Sequence, residues 1–204
     1  MSHLTFLLAV LITAERLNLD YDIHITDGGS NVNLSVMNNE LGEPIVRVIT
    51  ADNDSFQDEI QSLIHNDKAE AFGKVDCDHF KKMIPANIGA ISDTEGTRTF
   101  AFRPVPTVDD DPDVYENLHG IAEVSSSTQK LISITLTNDG AFSPSFGSTI
   151  HRLSLVIECF SLTEQTMVLK HYELIVQGSA FLVPFEERMK RTYSNYRWSN
   201  PSSH

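Results

Sequence analysis

Residues 150–185 read IHRLSLVIECFSLTEQTMVLKHYELIVQGSAFLVPF, the longest run of strand chemistry in the chain, with no proline before Pro184. Leu153, Leu155, Ile157 and Cys159 share one parity, while Arg152, Ser154 and Glu158 share the other. Period-two patterning of this kind marks an antiparallel strand with one covered face. The polar segment 161–166 separates it from residues 167–177, rich in β-branched and aromatic side chains, and Gly178 separates those from residues 180–185. A meander of three strands is predicted. Pairing across the 161–166 turn sets Cys159 opposite Val168 and His171 opposite Val156, which puts Cys159 and His171 on opposite faces.

Upstream, Tyr21, Ile23 and Ile25, then Val32, Leu34 and Val36, alternate with polar residues around Asp27-Gly28-Gly29, the clearest hairpin signal in the chain. Residues 45–50 form a short apolar strand. Asp52 or Asp54 can cap a helix starting near Ser55, whose apolar face is Phe56, Ile60, Leu63 and Ile64 and which ends near Gly73. A second short helix is predicted over residues 78–84, stopped by Pro85. Residues 97–103, 121–124 and 132–137 add strands, and Phe142 and Phe146 lie in a long loop from the turn Asn138-Asp139-Gly140 to Ser148. Residues 3–18 are apolar almost all round, as a helix or as a strand, and need a cover on several sides.

The fold class expected is mainly β (α+β), an antiparallel β-sandwich or jelly-roll-like domain with a helical insertion at about 52–90. Residues 1–185 form one domain, because no Gly/Ser or Pro linker marks a boundary and no internal repeat occurs. Residues 186–204, EERMKRTYSNYRWSNPSSH, read as a basic-aromatic C-terminal arm.

The 204 residues are 41% hydrophobic, enough for an ordinary core, and acidic residues outnumber basic ones 28 to 15 for a net charge of −13. Such a field repels a phosphate backbone, so nucleic acid is a poor partner except at the C-terminal arm. The charge is uneven, −14 over residues 1–150 and +1 over residues 151–204. The run 6–12 is too short to span a bilayer, and with no Lys or Arg before it and Ile12 near the point of cleavage it does not read as a signal peptide. Cys77 and Cys159 lack metal-ligand spacing. One bridge between them is allowed, but Cys159 on the apolar parity reads as a small core residue, which favours an intracellular or otherwise reducing setting; the location expected for the chain is intracellular or in a virion.

Asp109, Asp110, Asp111 and Asp113 could offer oxygens to calcium, but Pro112 interrupts the run and Gly120 stands where an EF-hand needs Glu, so a solvated loop is expected. Asp76, Cys77, Asp78 and His79 place two carboxylates and an imidazole within four residues, without the preceding strand that a phosphotransfer site needs, so a helix start with an exposed His is expected. His3-Leu4-Thr5 and His24-Ile25-Thr26 each match a His-x-Thr phosphoesterase element, but lie too close in sequence to occupy two lobes. No catalytic residue, metal ligand or cofactor is assigned.

The reading is a non-enzymatic structural or interaction subunit of a larger protein assembly, with a viral capsid or phage structural protein as its most concrete version. Its contacts with other protein subunits would be made by Phe6, Leu7 and Leu8 at one end, and by Arg188, Lys190, Arg191, Tyr193, Tyr196, Arg197 and Trp198 at the other. The alternatives are a small metal-dependent hydrolase on Asp76, Asp78 and His79, a thiol hydrolase on Cys159 and His171, and an acidic inhibitor mimicking nucleic acid.

Overall fold

The computed structural model describes residues 17–39, 41–65, 72, 74–94, 96–106 and 112–199. The segment with Phe6, Leu7 and Leu8, the predicted helix end near Gly73, and Asp109 to Asp111 of the acidic loop lie outside these residues.

Ten strands form in chain order: β1 (Leu19–Asp27), β2 (Ser30–Asn38), β3 (Pro44–Ala51), β4 (Ser92–Thr94), β5 (Thr97–Phe102), β6 (Leu118–Ser125), β7 (Leu131–Asn138), β8 (Ser148–Ser161), β9 (Met167–Ala180) and β10 (Val183–Trp198). All pair antiparallel in a single sheet of order β3-β2-β1-β10-β9-β8-β7-β6-β5-β4. The protein is therefore mostly antiparallel β with few helices, as expected, but its sheet is one open sheet in place of the sandwich or jelly roll predicted. Each described strand pairs with its successor except at one point, where the chain passes from edge strand β3 to the opposite edge strand β4. The helical insertion makes that crossing: helix α1 (Asp54–His65), then a 3-10 helix (Cys77–Met83). A second, four-residue helix, α2 (Pro112–Tyr115), precedes β6.

Register explains why one sheet suffices. Val32, Ile25, Arg191, Tyr172, Ile157, Ile134, Ala122 and Phe100 face one another in a single row across eight strands. The next row, one residue along, is Asn33, His24, Thr192, His171, Glu158, Ser133, Glu123 and Thr99. One face is therefore apolar and the other hydroxylated and charged, the alternation that a sheet covered on one side requires. The cover comes from the crossing segment. Phe56 and Ile60 of α1, then Phe72, Val75, Cys77 and Met83, are buried in one cluster with the apolar face. Asn53 caps α1 by accepting the Phe56 N–H at 2.8 Å, a role expected of Asp52 or Asp54. Asp52 instead accepts from the Asn31 side chain at 2.6 Å.

The 3-10 helix is held against the sheet twice. The Leu169 N–H donates to the Val75 carbonyl at 2.9 Å, and Cys77 is disulfide-bonded to Cys159 across 82 positions of sequence. This corrects the expectation of a free core thiol at Cys159, and with it the basis for a reducing compartment, since disulfides persist where the surroundings are oxidising. The sequence offered no spacing signal for it, because the two cysteines come together only once β8 and the crossing segment are placed.

The basic-aromatic segment is also corrected. Residues 186–198 are no arm: they form most of β10, an interior strand paired with β9 on one side and β1 on the other. Its charges fall on both faces, Arg188 and Lys190 on the wet one and Glu187 and Arg191 on the covered one.

Candidate functional site

The residues singled out in β10 do not converge. Arg188 donates to Glu173 at 2.7 and 3.0 Å, which holds that carboxyl below the usual carboxylate range. Lys190 lies in the same outer-face row, between Thr26 and Glu173. Arg191 points the other way, its guanidinium 5.5 Å from the Phe72 ring centroid and 5.9 Å from that of Tyr172. Tyr193 is buried 6.3 Å from the Tyr21 ring, and Tyr196 stacks on Tyr21 at 5.3 Å while its hydroxyl donates to the Leu169 carbonyl at 2.8 Å. The Tyr21 hydroxyl donates to the Phe72 carbonyl, and burial raises the pKa of both Tyr21 and Tyr196. Tyr193 and Tyr196 share a face despite their spacing because the ladder carries an irregularity here, with Asn195 at φ 56°. Arg197 is exposed, 3.8 Å from Asp20, and Trp198 is half-exposed opposite Leu19.

The candidate catalytic groups do not assemble either. The Cys159 sulfur is bonded to Cys77, so a thiol reaction has no nucleophile there. Cys159 pairs with Leu169, and an irregularity then brings His171 opposite Glu158 on the wet face, one to two positions from the predicted register. Asp76 caps the 3-10 helix through the Asp78 N–H at 2.9 Å, Asp78 meets Lys81, and His79 is buried with its ring edge-on to Phe80, contrary to the exposed His expected. No group of three or more His, Cys, Asp or Glu side chains gathers as a metal site among the described residues. Nor is any described helix long and apolar enough to cross a membrane.

A different site emerges at the end of the three longest strands. The last β7–β8 pair is Thr137 with Ser154, and the last β1–β10 pair is Asp27 with Met189. Beyond these pairs β8, β9 and β10 continue together to Ser148, Ala180 and Val183. At about 3.3 Å per residue, the five or six extra residues make a finger roughly 17–20 Å long. Gly178 lets it pack: a Cβ there would lie 2.4 Å from the Thr149 carbonyl oxygen and 2.8 Å from the Phe185 ring, which covers the glycine.

Two turns meet at the fingertip. The β9–β10 hairpin turns on Phe181 and Leu182, both with positive φ, 48° and 69°. Two-residue turns of that geometry favour Asn-Gly, and bulky side chains in the left-handed region cost about 1 kcal/mol or more each. Phe181 also joins the neighbouring β7–β8 loop, its N–H donating to the Gly147 carbonyl at 2.7 Å. Gly147 has φ 77°, and a Cβ on it would lie 2.7 Å from the Phe181 ring. The outcome is a cluster of apolar side chains aimed at solvent: Phe146 is 96% exposed, Phe181 74%, Leu182 96% and Val183 66%. Residues 140–151 and 174–185, which supply both turns, contain no Asp, Glu, Lys or Arg, although the chain as a whole is 21% charged. Below the tip a shallow depression is lined by His151, Gln177, Pro184, Phe185 and Glu186.

Sequence reasoning missed this tip because Ala180 to Phe185 has strand composition, so the turn was read as strand. The absence of charge from two stretches of twelve residues was the available signal. No protein-family model, curated protein or solved structure matches the chain.

Proposed function

We propose that the protein is a non-enzymatic interaction subunit that docks onto a larger body through its fingertip. The observation that carries this reading is the pairing of strain with exposure: Phe181 and Leu182 occupy left-handed backbone at a turn, and their side chains are turned out to water. Asn-Gly at the same two positions would relieve the backbone and remove the apolar surface together. Large apolar side chains kept at a cost to the fold indicate use in binding, as clustered exposed apolar residues generally do. This reading keeps the interaction role expected from the sequence and moves its contact surface from the chain ends to the finger.

Replacing Phe181→Asn with Leu182→Gly tests it. Retention of the full chain on a phenyl-substituted matrix should fall sharply in the variant while its circular dichroism is unchanged. Equal retention of the two proteins would show that the tip is not an apolar docking surface.

A further inference from the structure

We infer that the body this fingertip docks on is a lipid bilayer surface of zwitterionic headgroups, into whose interfacial layer Phe146, Phe181, Leu182 and Val183 insert. The inference rests on the docking role proposed above and names its occupant. Three observations select lipid over a protein partner.

The first is area. By side-chain size the four residues offer roughly 600 Å² of surface, the bottom of the range that one partner gives to a stable protein interface, which averages roughly 800 Å². The second is the rim. Protein interfaces surround their apolar centre with polar and charged groups that fix orientation, whereas here the surroundings are Ser143, Ser145, Ser148, Thr149 and Ser179, with no charge in either turn. Hydroxyls suit a headgroup layer, and hydrocarbon demands no shape complementarity from a convex tip. The third is depth. The first charged residue behind the tip on β10 is Glu186, four positions beyond Leu182, or roughly 13 Å along the strand. Interfacial segments bury their apolar faces roughly 5–10 Å deep, so the tip reaches that layer before Glu186 or Arg152 must leave water.

Charge then selects among lipids. With no basic residue in either turn and a net charge of −13 on the chain, anionic headgroups repel the protein and zwitterionic ones do not. Attachment to phosphatidylcholine is insensitive to salt, whereas the weaker attachment to phosphatidylserine improves as salt screens the repulsion.

The test is flotation of the full chain with phosphatidylcholine vesicles. A variant combining Phe146→Trp with Trp198→Phe carries one indole, at the tip, and its emission should shift to the blue as vesicles are added. The Phe181→Asn/Leu182→Gly variant should lose at least roughly tenfold in vesicle partitioning, since two apolar side chains are withdrawn. Leu182→Asn alone, which suits the left-handed backbone, should lose less and serves as the check against misfolding. Wild-type protein that fails to float, or tip variants that float equally well, would overturn the inference. Failure to float combined with tip-dependent retention on the phenyl matrix would reject lipid while leaving the docking role standing; loss of both would remove the docking role as well.

Discussion

The finger is the continuation of three strands of the ten-stranded body, β8, β9 and β10, yet body and finger treat apolar residues in opposite ways. In the body, Ile157 of β8, Val168 of β9 and Tyr193 of β10 are buried in the same core cluster as the crossing segment, which a disulfide fastens to β8. In the finger, the covering segments have been left behind. Phe185 shields Gly178, Phe142 bridges to Ile150, and beyond them the largest side chains face water. The body gains stability from its apolar residues, and the finger gives some up. That difference separates residues that hold the fold from residues that use it.

Breaking the cover should have the largest effect. Replacing Cys77 and Cys159 together by Ala releases a long loop from the unfolded chain and should lower stability by about 4 kcal/mol, read by urea titration with and without reductant. Next, a matched pair of truncations tests the contrast directly. Ile157→Ala should cost about 3–4 kcal/mol because its side chain is fully enclosed, whereas Leu182→Ala should change stability by less than about 0.5 kcal/mol. Equal costs would erase the distinction between body and finger.

Gly178→Ala acts within the finger. Its Cβ would meet the Thr149 backbone, so a loss of about 2 kcal/mol is expected, with hydrogen exchange accelerated in residues 176–187 and unchanged at Ile134. The smallest effect belongs to the wet face. The hydrogen bonds from Arg188 lower the Glu173 pKa in the folded state, so the pair contributes stability above the ordinary Glu range and loses it as pH falls through the folded value. Glu173→Gln should therefore cost about 0.5 kcal/mol at pH 7, discounted for the exposed Arg188, and less at pH 3, below the ordinary Glu range, which paired unfolding curves at the two pH values would check.

How much of this was legible in the sequence depended on whether local pattern and tertiary role agreed. They agreed at Tyr21 to Val36, where alternation around Gly28-Gly29 marks β1 and β2, and at Leu153 to Cys159 in β8. They disagreed in β10. Glu187, Met189, Arg191 and Tyr193 line its inner face, and two charges among four residues do not read as a covered strand. Arg191 is tolerated there because Phe72 and Tyr172 lie against its guanidinium. The disulfide was an allowed alternative without a local signal, because only the passage of the chain from β3 to β4 brings Cys77 to β8. The fingertip was hidden by its own strain, since a turn made from Phe and Leu violates the chemistry by which turns are recognised.

The most direct test is the joint stability and vesicle binding of the Phe181→Asn/Leu182→Gly variant. The variant should gain about 1 kcal/mol or more in unfolding free energy as backbone strain is relieved, and should lose phosphatidylcholine binding. A variant that is less stable, or one that binds as the natural chain does, would contradict the claim that the finger trades stability for docking.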